Sequence, residues 1–164
     1  MNKIKLFLDH RELKLINILK EKQELSNILV IGNLDIGDIK IVNDKYELII
    51  ERKTLDDMVA SIKDNRYKEQ KMRMLSYQNN RKFCKIIYLL EGTELSRYYQ
   101  KDENTLVGSI ISIMLRENIP IYRSTNIKDS ILFILRLMSR LSKNPNEFFS
   151  NKNICIRLFS NIKK

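Results

Sequence analysis

Short apolar runs alternate with longer amphipathic stretches along this chain. Residues 5–9, Lys-Leu-Phe-Leu-Asp, are a compact apolar run that predicts a buried strand. Leu13, Leu15, Ile16 and Leu19 recur at helical spacing and predict a helix over 11–24. Residues 28–31 predict a second strand. A hairpin follows: 36–42 runs up, Asn43-Asp44 turns, and 46–53 runs back. Thr54 stands as an N-cap before Leu55, Met58, Val59 and Ile62, so a helix begins there. It pauses at Asp64-Asn65, and a second, basic helical stretch continues to about Gln78. Residues 85–90 read as a strand, 107–116 as a helix, 119–123 as a strand and 128–141 as an amphipathic helix. Strands alternating with helices imply an α/β domain with a central mixed sheet flanked by helices. The last apolar stripe, Ile127, Ile131, Leu135, Met138 and Leu141, is longer than one face of a small sheet needs; core packing is expected for most of it.

Composition narrows the class. The 164 residues are 43% hydrophobic and 30% charged, with 4 Gly and 2 Pro, which excludes a disordered or collagen-like chain. No apolar run approaches the roughly 20 residues of a spanning helix, and the N-terminus lacks a secretory signal's apolar stretch. The nucleus, the cytoplasm or a viral replication site is therefore expected, with no membrane and no secretion. Cys84 and Cys155 lie far apart without C-x-x-C spacing and read as free core thiols, and the single His10 excludes chemistry needing two. Composition breaks near Lys143-Asn144-Pro145-Asn146. Residues 1–142 read as one domain and 143–164 as a short basic and apolar segment. Its Phe148, Phe149, Ile154, Ile156, Leu158 and Phe159 are too apolar for a free solvated strand.

Charge then points to a partner. Thirty Lys and Arg against 20 Asp and Glu give +10 and a pI near 9.6, a field that favours polyanions. An RNA binder using only that field would be expected to carry aromatic stacking motifs, and no RNP-type motif is present. Against the positive background stands a small group of acids. Folding the hairpin sets Asp38 opposite Ile50 or Glu51, so two carboxylates from adjacent strands meet. Glu51 and Lys53 are two apart on one strand and share a face. Hard divalent cations take oxygen ligands, and Mg²⁺ is typically held by one or two carboxylates plus phosphate and water. A lysine beside such an ion can orient the attacking water and offset transition-state charge. The plainer alternatives are a solvated Glu51–Lys53 ion pair and a capping role for Asp57 three residues after Thr54. The apolar Leu48-Ile49-Ile50 favours the site, because it puts the Glu51 charge at the margin of a buried sheet, where a charge requires a partner or a metal.

The run Glu51-Arg52-Lys53-Thr54-Leu55-Asp56-Asp57-Met58-Val59-Ala60-Ser61-Ile62-Lys63-Asp64-Asn65-Arg66-Tyr67-Lys68-Glu69-Gln70-Lys71 resembles the signature of the XPF family of structure-specific endonucleases, most closely the Mus-type catalytic subunit. Asp9-His10-Arg11-Glu12, Leu34-Asp35-Ile36-Gly37-Asp38 and Tyr88-Leu89-Leu90-Glu91-Gly92 resemble further family motifs in the same order, and the likeness covers about 140 residues. The resemblance implies a restriction-endonuclease-like fold and a Mg²⁺-dependent endonuclease, with Mn²⁺ able to substitute. Its substrates would be flaps, forks and junctions in DNA recombination, repair or replication. Asp38, Glu51 and Asp57 would carry the metal, with the backbone carbonyl of Arg52, and Lys53 would be the essential basic group. Asp9, Glu12 and Asp56 would be outer contributors; Arg11, Arg66, Gln70 and Lys71 would hold backbone phosphates. Water would attack in line, leaving a 5′-phosphate.

The resemblance also implies pairing through the final helices, as a homodimer or with a degenerate relative. Two departures matter. Asn65 stands where the family has Gly, and Asn is the next-best residue for a left-handed backbone. The family's tandem helix-hairpin-helix motifs do not fit into 22 residues, so DNA grip is expected from the nuclease face, the tail or a partner. The competing function is a non-catalytic DNA-binding or scaffolding subunit. Such members lose their acids, whereas Asp38, Glu51, Lys53 and Asp57 are all present here.

Overall fold

A computed structural model describes residues 4–149. Six strands form one sheet in the order β2-β1-β3-β4-β5-β6. They are β1 (Ile4–Asp9), β2 (Leu29–Gly32), β3 (Ile39–Asn43), β4 (Tyr46–Thr54), β5 (Cys84–Glu91) and β6 (Ile121–Ser124). β3 is antiparallel to both neighbours, and the remaining pairs are parallel, so the sheet is mixed. Helices α1 (Leu13–Lys20), α2 (Leu55–Lys63), α3 (Arg66–Asn79), α4 (Glu103–Ile111), α5 (Ile127–Lys143) and α6 (Pro145–Phe149) flank it.

The period of two on each strand divides the core. Leu6, Leu8, Ile39, Ile41, Leu48, Ile50 and Leu89 face α1, α5 and α6, burying Leu15, Ile16, Leu19, Ile134 and Phe149. Ile49, Ile86, Tyr88 and Leu90 face the other way, onto Met58, Val59, Tyr67, Met74 and Leu106 of α2, α3 and α4. Consecutive residues of β4 therefore enter different helical layers, which governs the site below.

The element boundaries depart from the pattern in physically readable ways. α1 begins only at Leu13, which is 65% exposed; the buried stripe is Leu15, Ile16 and Leu19. Lys22 is extended, so the expected helix over 11–24 stops at Lys20 and a 3-10 turn, Gln23–Leu25, follows. α4 starts four residues before the expected 107 and ends in a π turn, Ser112–Arg116. At the α2–α3 corner Asn65 takes φ 60°, the left-handed conformation expected of it.

The stripe on α5 covers the sheet: Ile131, Met138 and Leu141 are buried, and Ile127 and Leu135 pack against the same core. Large exposed apolar side chains lie in the other helical layer, on α4 and its last turn, at Val107, Ile111, Met114 and Leu115, and singly at Leu132 of α5. Phe149 tilts against Tyr46 with ring centroids 5.0 Å apart, and the Tyr46 hydroxyl bonds to Asn146. Cys84 is a buried free thiol, pushed up to about 11 by burial. Cys155, Ile154, Ile156, Leu158 and Phe159 lie outside the described residues. Among those described, no helix is long and apolar enough to cross a membrane.

Candidate active site

The site forms where β3 enters the sheet beside the end of β4. Gly37 makes the approach possible: at φ +72° it lies so close to β4 that a Cβ would come within 2.5 Å of Ile49 Cγ2. Asp38 then donates its N–H to the Ile50 carbonyl at 3.0 Å, and its Oδ2 accepts from the Arg52 N–H at 2.9 Å. Because Ile39 pairs with Ile50, the register brings Asp38 level with Glu51.

Glu51 is 1% exposed. Its Oε1 accepts from Gln70 Nε2 at 2.5 Å and lies 3.3 Å from Lys53 Nζ, whereas its Oε2 is buried without a partner. Burial, then the neighbouring Asp38 charge, pushes the Glu51 carboxyl up to about 7 against the pull of Lys53. Burial also raises Asp38, opposed by the Arg52 N–H and by Lys53. Two carboxylates thus share a site that disfavours the charge of both.

Asp57 lies in the first turn of α2. Its N–H donates to Thr54 Oγ1 at 3.1 Å, and the Thr54 hydroxyl donates to Asp57 Oδ2 at 2.7 Å. Thr54 is the expected N-cap, and Asp57 faces the same cavity of about 440 Å³ as Asp38, Glu51 and Lys53. Arg11, Arg66 and Gln70 also line it. The guanidinium of Arg66 is exposed, 2.8 Å from Asp64.

Five other expected residues send their side chains elsewhere. The side chain of Arg52 leaves β4 on the opposite face and bonds Glu12 at 2.8 Å and Glu91 at 2.7 and 3.1 Å. Glu12 therefore belongs to that ion network, not to the acid pocket, although burial raises its carboxyl. Asp9 is consumed locally: its Oδ1 accepts from the N–H and Nε of Arg11 and its Oδ2 from the Leu34 N–H. The Arg11 side chain holds its carboxyl well below the usual carboxylate range. Asp56 turns away from Asp57 and accepts from the Ser96 N–H at 3.0 Å. Lys71 is a correction to the phosphate-contacting set. It is buried, with its ammonium 2.9 Å from Glu117 and 3.1 Å from the Tyr67 hydroxyl, because its turn of α3 faces the sheet.

Arg73 was not among the expected residues, yet it lines the cavity and an adjoining one of about 420 Å³. Its guanidinium donates to the Asp35 carbonyl at 3.0 Å. The signal was its spacing, seven after Arg66 and three after Gln70, which puts all three on one face of α3. Of the partners that complete the Arg52 network, Glu91 had shown only as the acid of the Tyr88–Gly92 motif, with no role attached, and Ser130 carried no local signal.

Among the described residues, no three acidic, histidine or cysteine side chains are gathered tightly enough to form a cation cage alone. The donor set nevertheless fits a hard cation of the kind held by one or two carboxylates, water and substrate phosphate. Asp38 and Glu51 stand together, each raised by burial, and one Glu51 oxygen has no donor.

A mixed sheet in this order, flanked by helices and holding two acids and a lysine at the β3–β4 junction, has the restriction-endonuclease-like architecture of XPF nuclease domains. The chain belongs to the ERCC4 domain family, whose match spans residues 8–137. It is 31% identical over 180 residues to the ERCC4 domain-containing protein EP364R of African swine fever virus (strain Badajoz 1971 Vero-adapted), covering 94% of this chain and 48% of that protein. Similarity to the Arabidopsis thaliana crossover junction endonuclease MUS81 is 43% over 70 residues, 38% of this chain and 10% of that one. XPF from Aeropyrum pernix superposes with a TM-score of 0.67 at 26% identity, covering 85% of this chain and 61% of that one. The chain spans about half the length of the viral relatives it matches.

Proposed function

We propose that this domain is a Mg²⁺- or Mn²⁺-dependent endonuclease that hydrolyses phosphodiester bonds in branched DNA during recombination, repair or replication. The observation that carries the reading is Glu51, a buried carboxylate with one oxygen unpartnered, beside Asp38 on a cavity where Asp57 and Glu69 also stand among Arg11, Arg66 and Arg73. Acids within a basic wall repel phosphate unless a cation stands between them. Asp38 and Glu51 would hold the ion, with Asp57 and the Arg52 carbonyl as further oxygen donors. When bound, it neutralises phosphate charge and lowers the pKa of a water nucleophile. Lys53 would then orient that water or a phosphate oxygen, and Gln70 keeps Glu51 aimed at the pocket. Arg11, Arg66 and Arg73 would fix the backbone of the cut strand.

Likeness to MUS81 and XPF supports branched DNA as the substrate class. Likeness to proteins of African swine fever virus supports work at a viral replication site. Pairing with a second copy or a degenerate relative would use the exposed apolar groups of α4 and Leu132 of α5 rather than the buried α5 stripe.

A non-catalytic, DNA-holding role is the second reading, favoured by the Thr54 hydroxyl that occupies an Asp57 oxygen. Labelled 3′ flaps, splayed arms, four-way junctions, duplex and single strands, each with Mg²⁺ or Mn²⁺, decide between the two. Cutting of branched substrates that is lost in Asp38→Asn and Glu51→Gln while binding persists supports catalysis. Binding without cutting under any divalent ion sinks it.

A further inference from the structure

Among the described residues three buried side-chain polar atoms lack a partner: Glu51 Oε2, the Tyr88 hydroxyl and Glu117 Oε2. Buried polar atoms are nearly always hydrogen-bonded, so an orphan marks a group that needs something between it and its neighbours. These three are not scattered. Glu51 and Tyr88 are register partners on β4 and β5, and their side chains leave the sheet side by side. Both enter the layer covered by α3, where Gln70 bonds Glu51, and Lys71 bonds Glu117 and Tyr67. Burial, followed by the charges of Glu51, Tyr67 and Glu117, holds the Tyr88 hydroxyl far above its ordinary range, so it remains a donor.

A cation at Glu51 would satisfy that carboxylate's free oxygen. It would do nothing for a hydroxyl that must donate, nor for the second oxygen of Glu117. Water can accept from the hydroxyl and donate to both carboxylates, so these three groups supply the polar partners a buried water requires.

We propose that one or two ordered waters lie between β5 and α3, accepting from the Tyr88 hydroxyl and donating to Glu51 and Glu117, and that Tyr88 is thereby a positioning residue for Glu51. The carboxylate is then held from two sides: Gln70 and Lys53 fix one oxygen, and the Tyr88-bound water fixes the other. The Lys71–Glu117 pair closes the chamber at the back. Tyr88 touches neither ion nor DNA; it acts through the orientation of Glu51. The positioning role rests on Glu51 as a cation ligand, whereas the water does not.

Two measurements separate these claims. A crystal structure of the cation-free protein should show water within hydrogen-bond distance of the Tyr88 hydroxyl and Glu51 Oε2; an empty chamber overturns the proposal. Calorimetric titration of Mn²⁺ should then show affinity about tenfold weaker in Tyr88→Phe, the low end of what loss of a ligand's supporting hydrogen bond costs. The melting temperature should not fall, since the ring is retained. Equal Mn²⁺ affinity in the parent and Tyr88→Phe overturns the positioning role. A parent that binds no Mn²⁺ at all, with the water in place, instead overturns the metal reading of Glu51 and the positioning role that depends on it.

Discussion

Two charged clusters stand back to back on β4. On the side facing α1 and α5, Arg52 is forked between Glu12 and Glu91, and Ser130 donates to Glu91 at 2.6 Å while sharing a 2.7 Å bond with Ser124. On the side facing α2 and α3, Glu51 and Asp38 face one lysine, and a carboxylate oxygen is left unpartnered. Both stand on one strand and both mix acids with a cation, but the Glu51 carboxylate is the deeper, 1% exposed against 12–14% in the Arg52 cluster, and closure differs as well. The Arg52 cluster is complete, as a buried ion network must be if it is not to destabilise the fold. The Glu51 cluster is not closed by side chains: one Glu51 oxygen has no protein donor, and two acids share one lysine beside an open cavity.

The contrast can be broken from either side. Glu51→Gln should lower Mg²⁺-dependent flap cleavage by ~10³-fold or more. The same change should stabilise the cation-free protein by about 1–3 kcal/mol near pH 8, by removing a strained buried charge. Denaturant titration beside the cleavage assay reads both, and a variant that is less stable than the parent would contradict the incomplete-site reading. Arg52→Met should do the reverse to stability, costing about 3–5 kcal/mol because Glu12 and Glu91 lose the cation between them. Unfolding midpoints within error of the parent would show that network to be idle.

The pH response sharpens the same point. Glu51 is raised from 4.5 to about 7 in the folded chain, and Asp38 and Glu12 are raised in the same direction. The folded state therefore binds more protons than the unfolded state across that window. The stability contributed by Glu51 is fully present below 4.5 and is lost as pH rises through about 7. Melting temperature without divalent ions should fall between about pH 5 and 8, and saturating Mg²⁺ should restore it at pH 8 and not at pH 5. Asp9 has the opposite sign, but its carboxyl is lowered, so its contribution disappears only in stronger acid.

The smallest effects belong to the wall. Arg66→Ala should weaken flap binding modestly and reduce the salt slope by about one. Lys71→Ala should lower stability and leave that slope unchanged. Filter binding across a salt series tests both, and a changed slope for Lys71 would return it to the DNA face.

Local periodicity made the open cluster legible. A period of two put Glu51 with Lys53, the hairpin turn put Asp38 beside them, and Thr54 announced the turn that carries Asp57. Distance along the chain hid the closed one: Arg52 meets Glu91, and Glu91 meets Ser130, only after β5 and α5 have folded onto β4. Lys71 was misplaced for a subtler reason. Charge suggested solvent, but a lysine four residues after Tyr67 on a sheet-facing helix can be buried if an acid such as Glu117 arrives from α4's last turn. Leu13 failed the other way, as an apolar residue at the first position of α1, off the buried stripe of Leu15, Ile16 and Leu19.

Gly37 carries a final consequence. Its contact with Ile49 leaves no room for any side chain, and its left-handed backbone delivers Asp38 to Glu51. A single nucleotide change in any glycine codon can introduce alanine or valine. Each would push the Asp38 segment off β4 while every acid and the basic wall stayed in the sequence. A descendant could thus stop cutting and go on holding DNA, a loss of function that an inventory of catalytic residues would not register.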